Sequence, residues 1–152
     1  MVKGNDNLEV TINAPLRQVY QSLINVDERI SWEAVDKIER EPVTERIGMR
    51  HHCRIKGMTL ENTALYSEFK HDAAIYVERT VCKEMNLDMV QVFDMNALAD
   101  KITQLKMNIN WQRTQLPSEM MDVLLQKMKE SLENFKRYCE TKTPDDLKGE
   151  VV

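Results

Sequence analysis

The sequence predicts an α+β fold in which a curved antiparallel sheet wraps around a long C-terminal helix. The chain has 152 residues, a length that suits one domain. Alternating apolar segments recur roughly every 10 to 14 residues with short turns between them, as in antiparallel hairpins. Near the C-terminus the hydrophobic period becomes helical. This helix is the only predicted element long enough to cover the apolar face of the sheet.

The N-terminal part predicts one strand followed by two short helices. Leu8–Ile12 alternates apolar and polar residues, which is typical of a half-buried strand. Asn13 is a candidate N-cap, and Pro15 stands just inside the start of a helix that ends near Asn25. A second short helical piece is predicted over 26–32.

The middle of the chain predicts a series of strands, which makes a sheet of about six to seven strands in all. They cover 34–41, 46–56, 59–69, 73–82, 87–97 and 100–111. On the 73–82 strand, Ile75, Val77 and Val81 are expected to share one face. One face of the 87–97 strand is expected to carry Leu87, Met89, Gln91, Phe93 and Met95. One face of the 100–111 strand is expected to carry Leu105, Met107, Ile109 and Trp111.

The C-terminal helix is predicted to open at 116–119, where Pro117 and Glu119 occupy the first turn, and to end near Lys142. Its apolar stripe consists of Met121, Leu124, Leu125, Met128, Leu132, Phe135 and Cys139. We expect a single domain over 1–152, with a core of about 6–141 and a flexible tail over 142–152.

Composition excludes several classes of protein. A formal net charge of −4 opposes general binding to nucleic acid, which needs a basic face. No segment approaches the ~18 consecutive apolar residues of a membrane span, and the N-terminus has no secretory signal. The odd number of cysteines argues against a disulfide framework. We therefore expect a soluble cytoplasmic protein, monomeric or homodimeric, without membrane insertion.

Several local motifs, in their order along the chain, resemble the START-like superfamily, which is also called the SRPBCC or Bet v 1-like group. Residues 10–15, Val-Thr-Ile-Asn-Ala-Pro, followed by Val19-Tyr20, are similar to the opening strand and helix of that superfamily. Trp32 follows the helix, and residues 48–53, Gly-Met-Arg-His-His-Cys, resemble a strand of many bacterial members. The amphipathic C-terminal helix completes the match, which covers about residues 6 to 141. The chain departs from the common pattern at 69–72, where Phe-Lys-His-Asp replaces an expected Trp-Asp-Pro-Pro turn.

The resemblance implies a helix-grip fold with a cavity between the sheet and the C-terminal helix. Members of the superfamily mostly bind small hydrophobic molecules, and some, such as polyketide cyclase/dehydrase-like proteins, catalyse cyclisation or dehydration. A fold does not by itself settle function. The leading hypothesis is therefore binding of a small hydrophobic or amphipathic molecule, such as a lipid, an isoprenoid or a polyketide-like compound, with no cofactor.

The His51-His52-Cys53 segment superficially suggests a metal site. Successive residues of a strand point to opposite faces, so only His51 and Cys53 share a side, and the resemblance implies that they point inward. Zinc needs roughly three or four converging ligands, so we expect no metal here. His51 is expected to orient a ligand or to serve as a hydrogen-bonded core residue. If the protein is an enzyme, His51 is the candidate acid-base group.

The remaining candidates would line the cavity. Gln91 interrupts an apolar strand face and needs a partner if it is buried. The chain has ten methionines, including Met49, and methionine adapts to irregular ligands, although core filling explains any single one of them. The full candidate set for ligand binding is Trp32, His51, Cys53, Tyr66, Tyr76, Met89, Gln91, Phe93, Met107, Met121, Leu125 and Met128.

Two alternatives to ligand binding stay open at this stage. One is a cyclase/dehydratase-type enzyme that uses His51. The other is a protein-interaction module whose cavity is filled by side chains. Gly-rich nucleotide motifs, nucleophile elbows and metalloprotease motifs are all missing from the sequence, so the common enzyme classes are not indicated.

Overall fold

The structure is a computed structural model that describes residues 5–40, 48, 50–55, 57–112 and 115–141. The predicted tail over 142–152 and the candidate Met49 lie outside these residues.

One antiparallel sheet of seven strands dominates the fold, in the order β1-β7-β6-β5-β4-β3-β2. The strands are β1 (Asn5–Ile12), β2 (Lys37–Arg40), β3 (Arg50–Ile55), β4 (Met58–Phe69), β5 (Ala73–Cys82), β6 (Leu87–Ala99) and β7 (Ile102–Trp111). Strands β2 to β7 form a meander, and β1 returns to pair with β7. Register shifts interrupt the β4–β5 and β6–β7 ladders, and such bulges bend a sheet. The predicted α+β helix-grip architecture is confirmed.

Two short helices connect β1 to β2. Helix α1 (Leu16–Ile24) begins after Pro15, whose extended backbone occupies the N-cap position. Asn13 is therefore not the cap, which corrects the sequence prediction. Its backbone N–H instead donates a hydrogen bond of 2.7 Å to the carboxylate of Glu140. Helix α2 (Val26–Arg29) is capped by the side chain of Asn25 and ends three residues before Trp32.

The long helix α3 (Ser118–Thr141) forms one hydrophobic core with the sheet, as predicted. Its buried residues are Met121, Leu124, Met128, Leu132, Phe135 and Cys139, and Leu125 is half-buried. Phe135 is fully buried, and its ring lies 4.6 Å from that of Trp32. The Ser131 hydroxyl accepts from the backbone N–H of Ala34 at 2.9 Å. These contacts hold the segment after α2 against the middle of α3.

On strand β5, Ile75, Val77 and Val81 share one face, as predicted, but the opposite face is the buried one. The buried residues are Ala74, Tyr76, Glu78, Thr80 and Cys82, which alternate with half-buried Ile75, Val77 and Val81. A buried Glu and Thr are stable on the inner face only because other buried polar groups contact them. The inner face of β5 therefore brings charge into the core.

Candidate functional site

A cavity of about 70 Å³ lies between the inner face of the sheet and α3. Its apolar wall includes Met89, Phe93 and Met107 from β6 and β7, and Leu124, Met128 and Leu132 from α3. Its polar wall consists of Arg29, Glu33, Asn62, Glu78, Thr80, Gln91, Lys127 and Ser131. Apolar walls with a few placed polar groups are typical of ligand sites, although most sites for drug-sized ligands are larger.

A buried ion pair between Arg29 and Glu78 stands at the polar wall. The side chains are only 1% and 2% exposed. Arg29 Nη1 donates to Glu78 Oε2 at 3.1 Å, and Arg29 Nη2 lies 3.0 Å from Glu78 Oε1. Burial alone would raise the pKa of Glu78, but the attraction of Arg29 holds it below its usual value. The pair is therefore ionised at neutral pH and is electrically balanced.

Tyr76 and His51 complete the surroundings of this ion pair. The Tyr76 hydroxyl donates to Glu78 Oε1 at 2.9 Å, and the Arg29 guanidinium lies 5.6 Å from the Tyr76 ring centre. His51 Nε2 is 3.5 Å from Arg29 Nη1. A guanidinium has no acceptor, so His51 Nε2 carries the lone pair in this contact. Burial lowers the pKa of His51 to about 4. The charge of Glu78 opposes this shift and that of Arg29 adds to it, and the ring is neutral at pH 7.

Glu33 is the one partly solvent-exposed carboxylate of the cluster, since 20% of its side chain is accessible. It lies one helical turn after Arg29, with Oε2 3.6 Å from Arg29 Nη1. Burial raises the pKa of Glu33 to about 7, although Arg29 pulls in the opposite direction. Glu33 therefore titrates near neutrality while it faces the cavity.

A second polar group crosses the inner faces of β4, β5 and β6. The Thr80 hydroxyl lies 2.6 Å from Asn62 Oδ1 and 3.3 Å from Gln91 Oε1. One hydroxyl hydrogen cannot serve both oxygens at once, so the nearer contact to Asn62 is the donated bond. Asn62 Nδ2 also donates a hydrogen bond of 3.3 Å to the Cys53 sulfur. Burial raises the pKa of Cys53, which keeps its thiol protonated.

Some buried polar atoms at the polar wall have no hydrogen-bond partner among the described residues. They are Trp32 Nε1, Arg29 Nε and Glu33 Oε2. Each belongs to a residue that lines the cavity. An unpaired buried polar group costs about 1–3 kcal/mol, so a bound water or ligand that pairs with these atoms would stabilise the protein.

Glu33, His51 and Cys53 also place potential metal-ligand atoms within 4.8 Å of one another. Arg29 Nη1 already lies against two of these groups, 3.5 Å from His51 Nε2 and 3.6 Å from Glu33 Oε2. A metal cation would be repelled by this buried guanidinium at close range. The positive charge in this cluster is that of Arg29, and the expectation of no metal remains a prediction.

The cavity collects many of the predicted ligand-binding residues. Its lining includes Trp32, Cys53, Met89, Gln91, Phe93, Met107 and Met128. Their contact with a ligand remains a proposal. His51 and Cys53 are both buried and share the inner face of β3, as predicted, whereas His52 faces outward and is 39% exposed.

The other candidates lie outside the cavity lining. His51, Tyr76 and Met121 are buried but do not line it, and Leu125 is half-buried on α3. Tyr66 is 47% exposed, and its hydroxyl donates a hydrogen bond of 2.5 Å to the Glu68 carboxylate. The register shift between Ala64 and Tyr66 explains why Tyr66 faces outward, because one extra residue turns the following side chains to the other face.

Sequence reasoning missed the charged half of the site. Arg29, Glu33 and Glu78 were not candidates, since charged residues are by default exposed. The Arg29-to-Glu33 spacing of four residues was a usable signal for a helical ion pair. A second usable signal was the two-residue spacing of Tyr76, Glu78, Thr80 and Cys82. This spacing places the polar residues on one face of β5.

The fold and site together define a helix-grip protein with a partly polar cavity under its C-terminal helix. Comparison with solved structures gives the same class, because the chain has the fold of the START-like, or Bet v 1-like, proteins.

A hypothetical protein from Helicobacter pylori matches with a TM-score of 0.74 and 12% identity over 91% of this chain and 89% of its own. The Zhui aromatase/cyclase from a Streptomyces species matches with a TM-score of 0.69 and 14% identity, over 90% of this chain and 93% of its own. The Aha1 dimer from Colwellia psychrerythraea matches with a TM-score of 0.67 and 15% identity, over 91% and 98%. Likeness at these identities establishes the fold.

No protein-family model matches the sequence, and no curated protein matches it significantly. Among the described residues, no helix is both long and apolar enough to cross a membrane.

Proposed function

We propose that the protein binds a small hydrophobic or amphipathic molecule in the cavity between the sheet and α3. The observation that carries this proposal is the cavity itself, with apolar walls on one side and unpartnered buried polar atoms on the other. The apolar wall would supply roughly 25 cal/mol for each Å² of ligand surface removed from water. The polar wall would fix the orientation of the ligand. We further propose that the protein acts in the cytoplasm as a monomer or homodimer.

The cavity volume limits the ligand. An apolar cavity of about 150 Å³ binds benzene, so 70 Å³ admits only a small group without adjustment. Met89, Met107 and Met128 line the wall, and the unbranched side chain of methionine readily changes conformation. Lipid-, isoprenoid- or polyketide-like ligands therefore require the cavity to widen by movement of these side chains.

The enzymatic alternative with His51 has less support. His51 lies outside the cavity lining, and its pKa of about 4 leaves it a weak base at neutral pH. The interaction-module alternative corresponds to a cavity that side chains have nearly filled. It predicts a stoichiometric protein partner in place of a small ligand.

Native mass spectrometry of freshly purified protein, followed by solvent extraction, tests the proposal. We expect a discrete extra mass that leaves on denaturation. For protein that is purified empty, titration with 1-anilinonaphthalene-8-sulfonate provides the second test. Met128→Phe, which fills the cavity, should weaken probe binding at least fivefold. Met121→Phe is the matched control, because Met121 is buried on the same helix outside the lining. Absence of both bound ligand and probe binding would reject the proposal.

A further inference from the structure

The unpartnered atoms at the polar wall restrict the chemistry of the ligand. We infer that this cavity takes an electrically neutral molecule that presents a hydroxyl group, an alcohol or a phenol, from an apolar body. The inference rests on the proposed binding function and names the ligand class for the same site.

Trp32 supplies a hydrogen-bond donor that the fold cannot turn towards solvent. Its side chain is 4% exposed and packs against Phe135 with 4.6 Å between ring centroids. Its Nε1–H has no hydrogen-bond partner among the described residues, and the residue lines the cavity. Indole nitrogen only donates, so the complementary ligand atom must be an acceptor.

Glu33, the residue after Trp32, supplies an acceptor in the same cavity lining. Its Oε2 atom is buried without a hydrogen-bond partner among the described residues, and 3.6 Å separates it from Arg29 Nη1. That distance exceeds a hydrogen bond, so the oxygen can still accept one. A ligand group that accepts from Trp32 and donates to Glu33 needs both capacities. Above pH 7, where Glu33 is ionised, a hydroxyl has both, whereas a ketone, an ether or a hydrocarbon does not.

The charges around the cavity favour a neutral ligand. Arg29 and Glu78 balance each other across two contacts of 3.0 and 3.1 Å. An ammonium ligand beside Glu33 would also face the Arg29 guanidinium. A carboxylate ligand beside Trp32 would face the carboxylates of Glu33 and Glu78. The other cation of the lining, Lys127, is 41% exposed and already lies 3.9 Å from the Glu130 carboxylate. Either ligand charge would lose its hydration in this buried site without gaining a full counter-charge.

A set of small probes on one aromatic skeleton tests the ligand class by isothermal titration calorimetry and ligand-observed NMR, at a pH above 7 where Glu33 is ionised. The probes are 4-ethylphenol, ethylbenzene, 4-ethylbenzoate and 4-ethylbenzylamine. We expect 4-ethylphenol to bind at least tenfold more tightly than each of the others, because only it pairs with both Trp32 and Glu33. Tighter binding of the benzoate or the amine would overturn the inference.

Variants assign the preference to the two side chains. Trp32→Phe keeps a ring but removes the donor, and Glu33→Leu removes the acceptor. Each should reduce the preference for 4-ethylphenol over ethylbenzene to less than threefold. Glu33→Gln keeps an acceptor oxygen and should retain most of the preference. Trp111→Phe is the control, since the Trp111 Nε1–H already donates to Asp6 at 2.7 Å and Trp111 lies outside the lining.

The outcomes separate this inference from the proposed function. Equal binding of 4-ethylphenol and ethylbenzene by the wild-type protein would refute the hydroxyl preference and leave apolar binding intact. Binding of neither, in protein that also carries no ligand, would refute both. If Trp32→Phe fails to fold by circular dichroism, the comparison of Glu33→Leu with Glu33→Gln decides the matter. An unchanged preference in Glu33→Leu would then reject the inference.

Discussion

At the scale of single residues, the Arg29–Glu78 pair is the feature that sets this core apart. Two full charges lie buried between β5 and the end of α2, with Tyr76 and His51 in contact with them. Transfer of such charges from water is costly, and their mutual attraction only offsets that cost when the geometry is good. The contacts at 3.0 and 3.1 Å provide that geometry.

Removal of one partner from this pair should strongly destabilise the protein. Glu78→Gln leaves the Arg29 guanidinium buried beside a neutral amide, so we expect a loss of about 3–5 kcal/mol in the free energy of unfolding. Urea denaturation followed by circular dichroism measures this loss. Arg79→Gln is the adjacent control: Arg79 pairs with Asp88 while its side chain is 50% exposed, so the change should cost no more than about 1 kcal/mol. Equal losses of unfolding free energy in the two variants would show that the buried pair stabilises the protein no more than the exposed pair does.

The sequence pointed to His51 and overlooked Arg29 and Glu33 for a definite reason. A His-His-Cys segment attracts attention because these side chains ligate metals and transfer protons. An Arg at the end of a short helix and a Glu just after it are usually solvated, and nothing local marks them as buried. Their burial follows from the packing of the segment after α2 against α3, through Trp32 and Phe135, which is a long-range contact.

At the scale of elements, strands β6 and β7 and helix α3 were predictable because their hydrophobic periods are unbroken. The inner faces of β6 and β7 carry the expected apolar sets, and α3 buries the expected stripe apart from Leu125. On strand β5 the predicted apolar set does share one face, but that face is not the buried one. Its more apolar side, with Ile75, Val77 and Val81, is only half-buried, whereas the side with Glu78 and Thr80 is inside. Periodicity alone cannot detect an inner face that carries a polar cluster.

The connection between β5 and β6 depends on one unusual backbone conformation. Asn86 ends the short 3-10 turn Lys83–Met85 with φ +52° and ψ +42°, in the left-handed region. Asn tolerates this region, whereas the same conformation is less favourable by about 1–2 kcal/mol for a β-branched residue. We therefore expect Asn86→Val to lower the free energy of unfolding by that amount and Asn86→Gly to be neutral or slightly stabilising.

Thermal and urea denaturation of these two variants measure the backbone effect directly, because the Asn86 side chain is exposed. Asn110→Val on β7 is the matched control, since Asn110 is also exposed but has the extended conformation that valine favours. A destabilisation of Asn110→Val as large as that of Asn86→Val would contradict the backbone explanation.

At the scale of the whole molecule, the order of helices and strands was predictable from the sequence, whereas the composition of the cavity wall was not. Alternation, turn residues and one long amphipathic stripe predict a sheet around a helix. The cavity wall is assembled from α2, β3 to β7 and α3, so its composition depends on which faces meet. That is why Trp32, Cys53 and Gln91 were anticipated individually while the Arg29–Glu33–Glu78 group was not.

The pH dependence of global stability is set in part by Glu33 and His51, which both contact Arg29 and whose effects oppose each other. Glu33 has a pKa of about 7 in the folded protein against an ordinary value of 4.5. Its contribution to stability is therefore fully present below pH 4.5 and is lost as the pH rises through 7. His51 has a folded pKa of about 4 against an ordinary 6.5, so its contribution is present above pH 6.5 and is lost as the pH falls through 4. Each shift corresponds to about 3 kcal/mol, and the two trends nearly cancel in the wild-type protein.

Single substitutions should reveal the two opposed trends. In Glu33→Gln the His51 trend remains, so the free energy of unfolding relative to wild type should fall by up to about 3 kcal/mol between pH 7 and pH 4.5. In His51→Gln the Glu33 trend remains, and the difference from wild type should change by a similar amount in the opposite direction. Urea denaturation at a series of pH values measures both, and subtraction of the wild-type curve removes the shared contribution of all other carboxylates. Parallel curves for the wild type and both variants would mean that neither residue titrates abnormally in the folded protein.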